Sequence, residues 1–447
     1  MNKRLIILLF LSLLGQVWNS KAQGIEFEHI SLEDALQMAA KEEKLVFIDF
    51  YTEWCAPCKV MTKNIFPLES VGNYFNKNFI SIKLDAEKEG KGAAGKYNIS
   101  AYPTFLFLNP KGDVVYLDTG SKPESDFIEL GEKVIASLHD KYSLEKLNSM
   151  YAEKSEDESF LKIYIKKLKE YGQSPTEAIE QWLKYQTEFP NDHVRMMEFY
   201  LENITYMEVG GMAAKIFANN RAEYMDIATR MEAQRIEKFK LHMLANTREN
   251  AIRNNDVSKM KLFLDAYKAL PIAMKTSGRE PFYEMEYYQM KKDSKTYSAL
   301  AETFMESRMN AKSIAEIKKE DLETYEKKRS AYEGMPSYYS AGILTKLKQG
   351  VQATEMIENI AKVGSGYLVL NEGRKEFRTL DKWIEYGYEL IPDSYILDNL
   401  KAKLLMKQGK TEKAIALKEK ALENWPDSDK KKVSIAYELK TMKNQTI

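Results

Sequence analysis

The sequence predicts an α/β domain at the N-terminal end followed by a long all-helical region, and three observations carry that prediction. Short apolar runs of strand character alternate with helical patterns as far as residue 142. From 143 onward the strand signals stop, and Lys, Glu, Leu, Met, Ala and Tyr recur at helical spacing. The two cysteines of the 447-residue chain, Cys55 and Cys58, fall where a buried strand passes into a helix. A chain of this length exceeds one ordinary core, so two or three domains are expected.

The first 22 residues read as an export signal. Lys3 and Arg4 supply the positive end, Leu5 to Leu14 an apolar run, and Ser20-Lys21-Ala22 the small residues of a cleavage site before Gln23. The apolar run is ten residues long. Such a helix rises about 15 Å, half of the roughly 30 Å hydrocarbon core, which argues against a permanent anchor. No later segment is apolar enough to span a bilayer, so the mature protein is expected to lack a membrane span and to be periplasmic or otherwise exported.

Residues 23–142 form the α/β domain. Ser31 caps a helix with Asp34 three residues on, and Leu32, Ala35, Leu36, Ala39 and Ala40 make its apolar stripe. Leu45-Val46-Phe47-Ile48 is a buried strand, and a helix follows Cys55 and ends near Pro67. Phe79 to Leu84 is the next strand. Thr104 to Leu108 and Val114 to Leu117 form a hairpin around Asn109-Pro110-Lys111-Gly112-Asp113. A last helix covers Glu124 to Leu138.

Residues 143–447 form the helical region. Glu389-Leu390-Ile391-Pro392-Asp393-Ser394 recurs as Glu423-Asn424-Trp425-Pro426-Asp427-Ser428 at an offset of 34 residues. That is the period of tetratricopeptide helix pairs. Gly409, Ala414, Ala421 and Pro426 fall where such a unit needs a turn, small contact residues and a terminal proline, so 395–428 reads as a tetratricopeptide-like unit. Ala178 and Pro190 bear a similar relation earlier, whereas 200–380 shows no clear period. Arrays of this kind offer extended surfaces, so a protein or peptide partner is expected there. Lys plus Arg and Asp plus Glu both number 66, which gives no support for nucleic acid or an anionic membrane as the main partner.

The chemistry is carried by Trp54-Cys55-Ala56-Pro57-Cys58-Lys59. Cysteines this close in the chain enclose too short a loop to serve as a staple, so their purpose is chemical. At a helix N-terminus the unpaired N–H groups and the dipole favour an anion, which stabilises the Cys55 thiolate as the attacking sulfur. Cys58, most of a turn further in and expected to be more buried, is placed to resolve the mixed disulfide. Pro57 is tolerated in the first turn because its missing N–H would lack a helical partner. Two other readings are half a zinc site or an inert pair. Zinc needs four ligands, and the sequence has no second cysteine pair, while His29, His139, His193 and His242 are scattered.

With these residues in place, 25–140 resembles the thioredoxin superfamily, and is most similar to the thioredoxin-like domains of periplasmic thiol:disulfide interchange proteins. Ile48-Asp49-Phe50-Tyr51-Thr52-Glu53-Trp54-Cys55 matches the strand leading into the active site. The resemblance implies that Asp49 is the buried acid behind the second cysteine, assisting its deprotonation, with Lys83 as its companion. It implies that Ala101-Tyr102-Pro103-Thr104 bears a cis-proline facing the disulfide, exposing the Tyr102 backbone to an extended substrate. Gly120 fits as well, and Trp54 packs beside the site. Ala56-Pro57 departs from the usual Gly-Pro, and Tyr102 is bulkier than usual, which narrows partner choice. The proline between the cysteines resembles reductants more than strong oxidants. Gly90-Lys91-Gly92-Ala93-Ala94-Gly95 fits a dinucleotide fingerprint in letters only, because it does not follow the first strand of a βαβ unit.

The function expected is an exported thiol–disulfide oxidoreductase acting on protein disulfides or dithiols. It needs no cofactor, because the sulfurs carry the electrons, and its electron donor is expected to be a membrane thiol reductase. The second reading is a helical-repeat binding module in which the redox domain is auxiliary.

Overall fold

Side chains on a strand point alternately to opposite faces, and here the two faces carry different residues. Val46, Ile48, Ile80, Ile82, Leu84, Leu106 and Leu108, with the single phenylalanine Phe50 among these strand residues, share a core with Ala35 and Ala39. The opposite face presents Phe47, Phe79, Phe105 and Phe107, which meet Phe75 and Phe127 in a buried aromatic cluster. Asp49 and Lys83 lie on the same parity as these phenylalanines, so the strand pattern itself sends a charged pair into aromatic surroundings. This computed structural model describes residues 24–97, 99–140, 142–186, 192–333, 337–426, 429 and 431–444. The expected export signal, Gln23, Pro190, Asp427 and Ser428 lie outside the described residues.

The sheet has five strands in the order β1-β3-β2-β4-β5: β1 (Phe27–Glu28), β2 (Leu45–Tyr51), β3 (Phe79–Asp85), β4 (Thr104–Leu108) and β5 (Val114–Thr119). Strands β1, β3 and β2 are parallel, and β4 and β5 are antiparallel to their neighbours. Helix α1 (Leu32–Glu42) starts at Ser31, whose Oγ accepts from Asp34 N at 3.1 Å. Its buried face is narrower than its apolar stripe: Ala35 and Ala39 are buried, Leu32 and Leu36 half-buried, and Ala40 exposed. Helix α2 (Ala56–Val60) runs on as a π turn, Met61–Ile65. Then come α3 (Glu69–Asn78), α4 (Lys91–Lys96) and α5 (Glu124–Ser137). The sequence reading passed over β1 and α3. The first is two residues long, and the second starts at Leu68 with no side-chain cap of the kind that Ser31 gives α1.

Two compact units divide at Asn246/Thr247, well past the point where strands give way to helices. The first unit adds α6 (Leu144–Lys154), α7 (Glu158–Glu170), α8 (Thr176–Tyr185), α9 (His193–Glu202) and α10 (Met212–Ile227) to the sheet, and the division falls within α11 (Arg230–Arg253). Helix α6 packs against edge strand β5. Tyr116 of β5 meets Tyr171 edge-on, with ring centroids 5.3 Å apart. Gly172 approaches so closely that a Cβ there would stand 2.6 Å from the Leu117 carbonyl oxygen, and its φ of +68° also favours glycine.

The second unit is helical throughout its described residues: α12 (Val257–Lys268), α13 (Glu280–Met290), α14 (Ser294–Asn310), α15 (Ile314–Glu333), α16 (Ser337–Gln349), α17 (Val351–Leu370), α18 (Arg374–Leu390), α19 (Tyr395–Lys407), α20 (Thr411–Asn424) and α21 (Lys431–Asn444). Helices α19 and α20 form a pair turned at Gly409, whose φ is +73°. Ala402, Ala414 and Ala421 are fully buried, consistent with a helical repeat whose contacts need small side chains. No described helix is long and apolar enough to cross a membrane.

Candidate active site

Cys55 is the last extended residue before α2, with φ −71° and ψ 102°. Its Sγ accepts a hydrogen bond from Cys58 N at 3.1 Å, the role that a serine or aspartate oxygen usually takes at a helix start. The backbone turn is closed by Cys55 N donating to Thr52 O at 3.1 Å and Lys59 N donating to Cys55 O at 3.2 Å. Cys55 and Cys58 form a disulfide, with an S–S distance of 2.00 Å and Cα atoms 5.3 Å apart. Both are 2% exposed, so in this oxidised form Cys58 is no more buried than Cys55, contrary to the expectation from helix position. The disulfide holds both sulfurs in one place, under the same cover. Pro57 sits in the first turn, exposed beside them.

The neighbouring loop leads into β4. The Tyr102–Pro103 peptide is cis, with Pro103 buried and Tyr102 half-buried. Trp54 and Tyr102 meet edge-to-face at 5.8 Å, which brings this loop against the one carrying Cys55. Thr104 Oγ1 donates to Ala101 O at 2.7 Å, and Gly120 N donates to Pro103 O at 2.8 Å. A third loop is tied to the π turn that continues α2, where Lys122 N donates to Met61 Sδ at 3.3 Å.

Asp49 and Lys83 face each other across paired strands β2 and β3. Lys83 Nζ donates to Asp49 Oδ2 at 2.7 Å and to Thr62 Oγ1 at 2.9 Å. It also lies near the rings of Phe27, Tyr51 and Phe66, at 5.1, 5.1 and 4.7 Å. Asp49 is fully buried, and its Oδ1 has no hydrogen-bond partner among the described residues. Burial outweighs the attraction of Lys83 and holds this carboxyl above the ordinary aspartate value. The eight residues singled out in the sequence thus fall in two groups: Trp54, Cys55, Pro57, Cys58, Tyr102 and Pro103 around the disulfide, and Asp49 with Lys83 beneath the aromatic face. Sequence reading missed Thr62, Met61 and the rings about Lys83. The positions of these residues in the chain carried no signal, because Lys83 meets Thr62 and the rings only across neighbouring strands and the turn that continues α2.

A raised folded pKa means that the folded state binds the Asp49 proton more tightly than the unfolded chain does. The associated stabilisation is complete below the ordinary value of 3.8 and is lost as pH rises through the raised folded value. Asp49→Asn removes that loss. Its stability relative to the parent is therefore expected to improve as pH rises from 4 to 8. Urea unfolding at both pH values measures it, and a difference independent of pH would contradict the assignment.

A disulfide between cysteines three residues apart at the positive end of a helix, in this fold, is the arrangement of a thiol–disulfide oxidoreductase site. Comparison with known proteins narrows the class. A family model described as thioredoxin-like matches residues 27–110. Thioredoxin of Bacillus subtilis is 34% identical over 95 residues, which are 86% of its length and 21% of this chain. Thioredoxin-T of Drosophila melanogaster is 32% identical over 84 residues, 19% of this chain, so the chain spans half the length, 50%, of that relative. Among solved structures, a candidate disulphide-isomerase of Bacteroides thetaiotaomicron is 39% identical, with 26% of this chain and 97% of that chain covered and a TM-score of 0.24. Through its N-terminal domain, this chain belongs to the thioredoxin-like family.

Proposed function

We propose that the protein is exported and reduces or exchanges disulfides in envelope proteins, with the helical region contributing to the choice of partner. The observation that carries the reading is the Cys55–Cys58 disulfide at the start of α2, with the Cys58 N–H directed at Cys55 Sγ at 3.1 Å. Once the disulfide is reduced, that N–H and the helix dipole favour a thiolate at Cys55. The thiolate attacks one sulfur of a substrate disulfide, joins it and expels the other as a thiolate. Cys58 then loses its proton and attacks Cys55 Sγ, which releases the second substrate thiolate and restores the internal disulfide. The substrate has gained two electrons, and the domain has lost two. An outside dithiol donor, in our reading a membrane thiol reductase, returns them.

Asp49 serves this scheme as the acceptor of the Cys58 proton. Its unpartnered Oδ1 and the upward shift that burial gives its pKa suit a base that takes up this proton. Lys83 keeps the carboxylate tenable in an apolar site. Trp54, Pro57, Tyr102 and Pro103 form the surface that a substrate segment meets, with the Tyr102 backbone available for strand-like pairing.

The direction of flow is tested by equilibrating the protein with glutathione or dithiothreitol buffers and trapping its thiols. A reductant is expected to have a potential near about −270 mV. A value near about −120 mV, that of a strong oxidant, would reverse the proposed direction. Export is tested by recovery of the chain, shortened at its N-terminus, in the envelope fraction.

A further inference from the structure

Lys83 is the cation of the site, and a lysine is a poor one to leave unguided. Its charge sits at the end of a flexible four-carbon stem and carries three donors that can turn toward water. Here the ammonium is held from several elements at once. Strand β2 supplies Asp49 Oδ2 at 2.7 Å and the Tyr51 ring, β1 the Phe27 ring, and the chain just past α2 the Phe66 ring. The rings restrict where Nζ can go but give it no strong acceptor. The second oxygen acceptor is Thr62 Oγ1, at 2.9 Å.

Thr62 stands four residues beyond Cys58, at the second position of the π turn Met61–Ile65. The same helix that carries the resolving cysteine therefore reaches down to the ion pair through this hydroxyl. Thr62 itself is exposed, so its hydroxyl needs no protein partner to satisfy it. Its loss leaves no buried polar group behind, and the fold should not depend on it.

We propose that Thr62 is a positioning residue that holds the Lys83 ammonium on Asp49 and so couples this ion pair to the helix bearing Cys58. The coupling to disulfide chemistry rests on the function proposed above; the positioning itself does not. The groups that bear on Asp49 are few. Lys83 faces it from β3, and Phe105 of β4 is its apolar partner on the other side. Tyr51 on its own strand senses its charge. The π turn that continues α2 adds Thr62 through Lys83, and α2 itself adds, in our reading, the Cys58 thiol. Burial raises the Asp49 carboxyl, and Lys83 is the charge that opposes it. Loosening Lys83 must therefore send the carboxyl further up.

The test uses Thr62→Val, which keeps the shape and removes the hydroxyl, and Thr62→Ser, which restores it. In the reduced protein, the Asp49 carboxyl is titrated by carbon-13 NMR. In Thr62→Val its midpoint is expected to rise by about 0.3–0.7 pH unit, on the scale of one hydrogen bond to a charged group shared between partners. Thr62→Ser should return it to the parent value. An unmoved midpoint in Thr62→Val, or a serine variant that behaves like the valine one, overturns the proposal. The pH dependence of substrate release from the mixed disulfide is followed alongside, and its limb should move in the same direction as the midpoint while the first attack by Cys55 keeps its rate. A parent protein that titrates normally but turns over no disulfide would sink the proposed function and leave the positioning result standing on the NMR data.

Discussion

Cys55→Ser is expected to abolish disulfide turnover, and Cys58→Ser to convert the protein into a covalent trap. A serine hydroxyl is not ionised at neutral pH and cannot replace a thiolate as nucleophile, so the loss at position 55 should be on the order of 10³-fold or more. At position 58 the first attack survives but the resolving one does not. Mixed disulfides through Cys55 should then accumulate, visible as partner bands that vanish on adding dithiothreitol. The asymmetry follows from the capping geometry. Cys55 Sγ receives the Cys58 N–H at 3.1 Å, and that donor belongs to the backbone, so it survives replacement of the Cys58 side chain. Turnover retained in Cys55→Ser, or partners trapped equally by both variants, would exclude the assigned roles. The partners trapped would also show whether the substrates are envelope proteins.

A chain ended at residue 142 is expected to be far less stable than one ended at residue 254, although both contain the whole sheet. Strand β5 is the last in the order β1-β3-β2-β4-β5, with β4 on one side only. Its other flank is covered by two helical segments: α6, with Leu144 and Leu147 buried, and the α7 end, where Tyr171 meets Tyr116. Ending the chain at 142 exposes Tyr116 and Leu117 and leaves an open edge, an invitation to aggregation. The lost burial and ring contact are worth on the order of 3 kcal/mol or more. For a domain of this size that lowers the melting temperature on the order of 10–20 °C. Gly172→Val should do a milder version of the same, because its side chain would meet the Leu117 carbonyl. Equal melting temperatures for the two truncated chains would show that the helices are not needed by the sheet. The result also governs how binding by the helical region is tested, since its first helices cannot be removed as a neutral appendage.

Much of this molecule could be read from the chain because the relevant relations are short. Cys55 and Cys58 are three residues apart, and a strand leading into a helix is enough to place them at a positive helix end. The hairpin β4–β5 was marked by its own turn, where Asn109 Oδ1 accepts from Lys111 N and Asp113 N at 3.0 and 2.9 Å. The pairing of Asp49 with Lys83 came from resemblance, and the strand register placed them opposite each other. Helix α3 has no capping side chain at Leu68 to mark its start, whereas Ser31 marks that of α1.

What the residues determined by themselves was local: the reactive pair and its helix, the alternation that makes two faces of one sheet, the change to helices after 142, and the small-residue pair of helices turned at Gly409. What only the tertiary structure decided was which distant groups meet. Phe27 from β1, and Thr62 and Phe66 from the turn that continues α2, gather around Lys83. The segment beyond 143 folds back to cover β5, so the compact unit ends at Asn246 rather than where the strands stop. Local pattern records which way a side chain points along its own strand or helix. It does not record register, docking or the close approach of two segments, because those depend on the packing free energy of the assembled core.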